Sequence, residues 1–161
     1  MPTADRDIPL LSRAIELAAQ ARARGDHPFG SLVAAPDGTV VAEGRNSVDT
    51  DRDPTGHAET NAVRAVGHLD PAELSAYTLY TSTEPCAMCA GAIYWAGIGT
   101  VVYALGEDEL RSMTGDDPAN PTLAVPCRQI FAAGTRDIAV RGPYPLDTAR
   151  EVHAGFWHPG S

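Results

Sequence analysis

Apolar residues recur at helical spacing from near the start of the chain. Across residues 8–24, Leu10, Leu11, Ala14, Ile15, Ala18 and Ala19 fall on one face before Gly25 ends the run, which predicts an amphipathic helix. The period then changes. Residues 29–36 and 39–43 form two apolar runs joined by Asp37-Gly38, a hairpin signal because glycine accepts positive φ. Helical spacing returns at Ala58, Ala62, Val63 and Val66, predicting a helix over 56–67. Residues 77–82 read as a buried strand, 86–96 as a helix and 100–105 as a further strand. Downstream the pattern weakens. Residues 107–113 predict a helix, 115–126 a surface loop rich in Pro, Asp and Asn, and 137–140 a short strand. Leu146, Ala149, Val152 and Phe156 share a face, predicting a helix over 146–157 whose following residues fray. Strands alternating with helices predict an α/β fold, a sheet covered on both faces, with ligands gathered at strand ends.

Composition narrows this to one domain over 1–161: 161 residues with 43% apolar content suffice for one substantial core. There is no internal repeat. Residues 1–7 are polar and no apolar run approaches a membrane span, so a soluble cytoplasmic protein is expected. Twelve cationic residues, all Arg, face 21 acidic ones for a net charge of −9. No basic stripe is visible, and Arg13, Arg22 and Arg24 read as the solvated face of the first helix. Long polynucleotide substrates are therefore disfavoured.

Three cysteines cannot all pair with one another, and two of them are spaced like metal ligands. Cys127 reads as a thiol in ordinary packing. The other two belong to Glu84-Pro85-Cys86-Ala87-Met88-Cys89, about thirty residues after His57-Ala58-Glu59-Thr60. Cys86 and Cys89 fall on one face at a helix start, where the helix-end partial charge favours thiolates. His57, Cys86 and Cys89 would give a metal three protein ligands and leave a fourth position for water, the composition of a catalytic zinc site. Glu59 is close enough to exchange protons with that water without ligating the metal. A lone Cys-x-x-Cys after a strand also fits a thiol redox protein, and a structural zinc would need a fourth ligand that no spacing supplies. His68 reads as a helix-end residue, His153 and His158 as surface groups, and Asn46 as a turn cap or a substrate contact. His27 is a surface group or, beside Pro28-Phe29, a neighbour of the site.

The paired His-x-Glu and Pro-Cys-x-x-Cys motifs resemble those of the cytidine deaminase superfamily, and most closely its branch of bacterial guanine deaminases and tRNA adenosine deaminases. Also similar are His27-Pro28-Phe29-Gly30, Glu43-Gly44-Arg45-Asn46, Asp53-Pro54-Thr55-Gly56 and 79–95, a likeness that is close over 8–105 and loose beyond. The resemblance implies a three-layer α/β/α sandwich around a mixed five-stranded sheet. It also implies one Zn2+ per subunit on His57, Cys86 and Cys89, with Glu59 as the catalytic acid and base. By the same resemblance Asn46 holds the base or sugar, Phe29 stacks on the base, and the backbone N–H groups of Ala58 and Cys86 add contacts. Trp95 would approach a neighbouring subunit's pocket in a homodimer.

Pro28-Phe29-Gly30 and Ile93-Tyr94-Trp95 favour guanine or a similar purine over tRNA. Guanine deaminases carry Gly-Phe before an acidic loop residue, whereas this chain reads Thr114-Gly115-Asp116-Asp117. Asp116 or Asp117 could contact the base or equally form a solvated turn. The expected function is zinc-dependent hydrolytic deamination of free nucleobases or nucleosides in salvage, with a pocket broad enough to include guanosine, cytosine, cytidine or adenosine. A tRNA adenosine deaminase and a non-enzymatic redox or zinc-binding module are the alternatives.

Overall fold

In chain order, a computed structural model describing residues 3–158 contains α1 (Thr3–Ala23), β1 (Gly30–Ala34), β2 (Val40–Arg45), α2 (Val48–Asp51), α3 (Ala58–Ala65), α4 (Pro71–Leu74), β3 (Thr78–Thr83), α5 (Ala87–Ala96), β4 (Thr100–Leu105), α6 (Glu107–Thr114), α7 (Cys127–Ala132), β5 (Ala139–Arg141) and α8 (Asp147–Glu151). The sheet order is β2-β1-β3-β4-β5. β1 pairs antiparallel with β2 and β3, while β3, β4 and β5 run parallel, so the sheet is mixed and five-stranded as expected.

Strand alternation divides the interior into two cores. Val33, Leu79 and Val101 face Ala62 of α3, Ala90 and Ile93 of α5 and Phe131 of α7. Their neighbours Leu32, Tyr80 and Val102 face the opposite way, against Leu11, Ile15 and Leu17 of α1 and Ala149 of α8. The result is three layers, helix on sheet on helix. Gly30 and Gly44 bring the helices close: a Cβ at Gly30 would overlap the Ala14 carbonyl, and one at Gly44 the Ala58 carbonyl. The second approach seats the start of α3 directly on β2.

Several elements depart from the sequence pattern, each for a tertiary reason. α1 starts at Thr3 rather than 8 and runs through Pro9, whose missing N–H removes one backbone bond from the helix. The extra turn is anchored by buried Asp7, whose carboxylate accepts from Tyr80 Oη at 2.9 Å, Tyr144 Oη at 2.7 Å and Arg141 Nε at 2.8 Å. These bonds hold the Asp7 carboxyl below its usual range against the opposing effect of burial. The C-terminal helix ends at Glu151, not 157. Residues 152–156 continue as turns, with Phe156 N–H bonded to the His153 carbonyl at 3.0 Å and Gly155 at φ 72°.

That tighter path turns His153 inward. Expected at the surface, His153 is 2% exposed, and its Nδ1 accepts from Trp157 Nε1 at 3.0 Å. Two arginines expected on a solvated face are also engaged. Arg22 donates to the Val152 carbonyl at 2.8 Å and lies over the Phe156 ring, and Arg24 donates to the Asn46 carbonyl at 2.8 Å. Sequence reading left α2, α4 and α7 unassigned because each is too short for a period to register. α4 nonetheless carries a legible start, Asp70 accepting from Ala72 N–H at 3.1 Å with Pro71 in its first position. Fraying at 159–161 concerns residues outside those described. Among the described residues, no helix is long and apolar enough to cross a membrane.

Candidate active site

One edge of the sheet collects the chemistry. β1 begins there, β2 ends there, and the parallel strands β3 and β4 also end there, as the Gly30–Arg45 and Ser31–Thr81 pairings fix. Consequently Phe29, Asn46, Glu84 and Glu107, each just outside a strand or at a following helix start, meet at one rim.

His57 and Cys86 are the N-cap residues of α3 and α5, with extended backbones, rather than members of the first turns. Their side chains therefore leave the helix ends freely, and Cys89 follows one turn along α5. His57 Nδ1 lies 3.6 Å from Cys86 Sγ and 3.5 Å from Cys89 Sγ, and the three ligand atoms fall within 4.8 Å of one another. Zinc bonds of about 2.0–2.1 Å to nitrogen and about 2.3 Å to sulfur at tetrahedral angles separate N from S by about 3.6 Å. One imidazole and two thiols at that spacing fit zinc in both donor type and dimension. A hydrogen bond from the Cys89 thiol, with a further one from His57, draws Cys86 down to about 4. Cys89 is pushed up by the same contact and by burial.

Glu59 lies two residues beyond His57 and is buried. Its Oε1 accepts from Thr81 Oγ1 at 2.9 Å, a contact from the strand beneath that orients the carboxyl. Burial pushes Glu59 up, and negative charge at Cys86 adds to the rise. A carboxyl shifted towards neutrality is suited to exchanging protons in both directions.

These groups border a cavity of about 400 Å³, within the size range of small-molecule sites. Phe29 and Asn46 line it as expected. Asn46 serves both roles considered for it, since Oδ1 also accepts from Val48 N–H at 3.2 Å to close a turn. Ala58 is buried and is not among the lining residues; its N–H is that of a first helical residue, outside the helix's own bonding. Trp95 does not line the cavity of its own chain and is 77% exposed.

Asp116 and Asp117 do not line it either. Asp117 is occupied in holding the chain, with Oδ2 accepting from His158 N–H at 2.6 Å and Oδ1 from Ala119 N–H at 2.9 Å. Both bonds hold its carboxyl below the usual range. The loop expected at the surface is mostly exposed, and it also contributes Ala119, Asn120, Pro121 and Leu123 to the cavity.

Sequence reading assigned no role to Thr81, Glu84 or Glu107 and left His27 between two readings. His27 is on the cavity wall, its ring 5.2 Å from that of Trp157 and 5.8 Å from that of Phe156. Burial pushes its pKa down. Glu84 accepts from the N–H groups of Glu107 at 3.1 Å and Cys127 at 2.9 Å, joining the starts of α6 and α7. Its place directly before the Pro-Cys motif was the available signal. Glu107 had none, because only the sheet brings it beside Glu84.

Known proteins resemble this chain in sequence and fold. The family described as the cytidine and deoxycytidylate deaminase zinc-binding region matches residues 5–105. A probable cytosine deaminase of Schizosaccharomyces pombe is 41% identical over 97% of this chain and 95% of its own length. The guanine deaminase of Bacillus subtilis is 44% identical over 66% of this chain and 69% of its own. Among solved structures, the guanine deaminase of Nitrosomonas europaea is 29% identical with a TM-score of 0.69, covering 90% of this chain and 83% of that one. With the motif, the cluster dimensions and the fold in agreement, the chain belongs to the cytidine and deoxycytidylate deaminase family, and His57, Cys86 and Cys89 form a group that could hold a metal ion.

Proposed function

We propose that this chain is a single-domain, zinc-dependent hydrolytic deaminase of free nucleobases or nucleosides, using His57, Cys86 and Cys89 to hold zinc and Glu59 to move protons. The observation that carries this reading is the placement of an oriented, buried carboxyl beside a three-ligand cluster at the wall of a base-sized cavity. Zinc bound there supplies Lewis acidity and lowers the pKa of water towards neutrality. Glu59 takes a proton from the attacking water and returns it to the ring nitrogen next to the reacting carbon. A C–O bond forms, the C–N bond breaks, and a second proton leaves with ammonia. Phe29 offers a ring face to the base and Asn46 a polar contact at the rim. The N–H groups of Ala58 and Cys86 face the reacting end from the two helix starts.

Guanine-like purines are favoured by the Pro28-Phe29-Gly30 and Ile93-Tyr94-Trp95 stretches, and a solved relative 30% identical to this chain is bound to 8-azaguanine. Cytosine is the second reading, with two observations in its favour. The relative similar along 97% of this chain is a probable cytosine deaminase, and Asp116 and Asp117 stand away from the cavity. Transfer RNA is disfavoured because no Arg is among the described residues lining the cavity and the chain contains no Lys.

A homodimer is supported by α5, which has no charged residue and leaves Trp95 exposed. A cytoplasmic setting is supported by the three free cysteines. Ammonia release by zinc-loaded protein across guanine, guanosine, cytosine, cytidine, adenine and adenosine tests the reading. Turnover of at least one base or nucleoside is expected, and zinc-loaded protein inert towards all six would reject it.

A further inference from the structure

Glu107 stands at the first position of α6, where its backbone N–H is fixed by Glu84 Oε1 at 3.1 Å. Its own carboxyl accepts no hydrogen bond from any described group, yet the residue lines the same cavity as His57 and Glu59. Half-burial and the nearby charge of Glu84 push its pKa up, against the opposing charge of Arg111 one turn along the same helix. A carboxyl in such a place is costly unless something supplies a donor. Three acidic residues, Glu59, Glu84 and Glu107, face the cavity with no Arg among its described lining. The family takes part of its name from deoxycytidylate, a nucleotide whose phosphate would find no cationic partner here.

We propose that Glu107 is a specificity-determining residue: its carboxyl accepts a hydrogen bond from a ring N–H that takes no part in the reaction, and the acidic wall it shares with Glu84 gives a substrate phosphate no cationic partner. The inference rests on the nucleobase reading above and narrows it to uncharged substrates. A free purine or pyrimidine carries such an N–H at the nitrogen that bears ribose in a nucleoside. The contact therefore favours the free base over its nucleoside, and both over the nucleotide.

Steady-state kinetics on guanine and cytosine, with wild type, Glu107→Gln and Glu107→Ala, test it. Both variants are expected to keep their zinc and a kcat within threefold of wild type, while KM for the preferred base rises about tenfold or more, the scale of one hydrogen bond to a charged group. Calorimetry in a Glu59→Gln background, which measures binding without turnover, should show the same loss on adding Glu107→Gln. On the wild type alone, CMP and GMP should inhibit at least tenfold more weakly than cytidine and guanosine. KM and Kd within twofold of the parent, a change confined to kcat, or nucleotides that inhibit as well as nucleosides would each overturn the assignment. A wild type that deaminates a base while Glu107→Gln leaves KM unchanged sinks only the role of Glu107. A wild type inert on every base sinks the nucleobase reading and this one with it.

Discussion

The two walls of the cavity are built in different ways. The inner wall consists of the starts of α3 and α5 on the strands beneath them, with His57 and Cys86 as caps and Glu59 tied to Thr81. The outer wall is assembled from irregular chain: Ala119, Asn120, Pro121 and Leu123 with His27 and Phe29, the last two backed by Phe156 and Trp157 in ring contacts, edge to face or tilted, at 4.8–6.4 Å. Ladder bonds and helix ends place atoms to within tenths of an ångström, as proton transfer and metal ligation require. Ring edges and loops tolerate exchange of side chains at small energetic cost. On the proposed function, reaction type would reside in the inner wall and substrate choice in the outer one. The family match over 5–105 takes in the inner wall together with His27 and Phe29 and ends before the 119–123 loop.

Substitutions that separate the walls should rank accordingly. Cys89→Ser should have the largest effect, removing bound zinc by metal analysis and ammonia release with it. Glu59→Gln comes next: zinc stays bound, while turnover falls by about 10²–10⁴-fold, the span of general acid–base catalysis. An active Glu59→Gln protein would remove Glu59 from its role and blur the distinction between the walls.

The outer wall should respond to pH before the inner one. Burial, aided by nearby Arg22, pushes His153 down from 6.5 to about 4. Between these values the unfolded chain binds a proton that the folded chain refuses, so stability present above pH 6.5 is lost as pH falls towards 4. The loss amounts to about 3 kcal/mol at most. In a Trp95→Phe background, Trp157 emission should shift to the red over that interval while zinc content holds at its upper end. Emission that stays constant to pH 4 would show that His153 is not charged by acid. The smallest effect belongs to Arg22→Met, which loses the Val152 carbonyl contact and the Phe156 ring contact. It should lower thermal stability by about 1 kcal/mol and leave kcat for the preferred base unchanged.

Much of the inner wall was legible in the chain because its information is local. The His-x-Glu and Pro-Cys-x-x-Cys spacings specify ligand type and number, and the 3.6 and 2.0 periods around them specify the strand-to-helix setting. Phe29 and Asn46 reached the cavity for the same reason, as residues flanking recognisable strands. Where local periodicity lapsed, expectation and structure parted. The helix over 146–157 stops at Glu151, and the inward turn of His153 that follows packs its ring on Phe29, distant in sequence. Asp117 holds His158 instead of lining the cavity, a bond between segments 41 residues apart.

By itself, the order of residues determined an α/β fold and a three-ligand metal cluster with an adjoining acid, since each depends on spacings of a few residues and on side-chain chemistry, while the mixed five-stranded sheet was implied by the family resemblance. Only the tertiary structure decided which groups complete the cavity. Thr81 beneath Glu59, Glu84 bridging two helix starts, Glu107 beside it and the buried His153 depend on strand order and on chain returning from far along the sequence. Such contacts form when sheet pairing and core burial repay the entropy of closing long loops, a balance that no local pattern records.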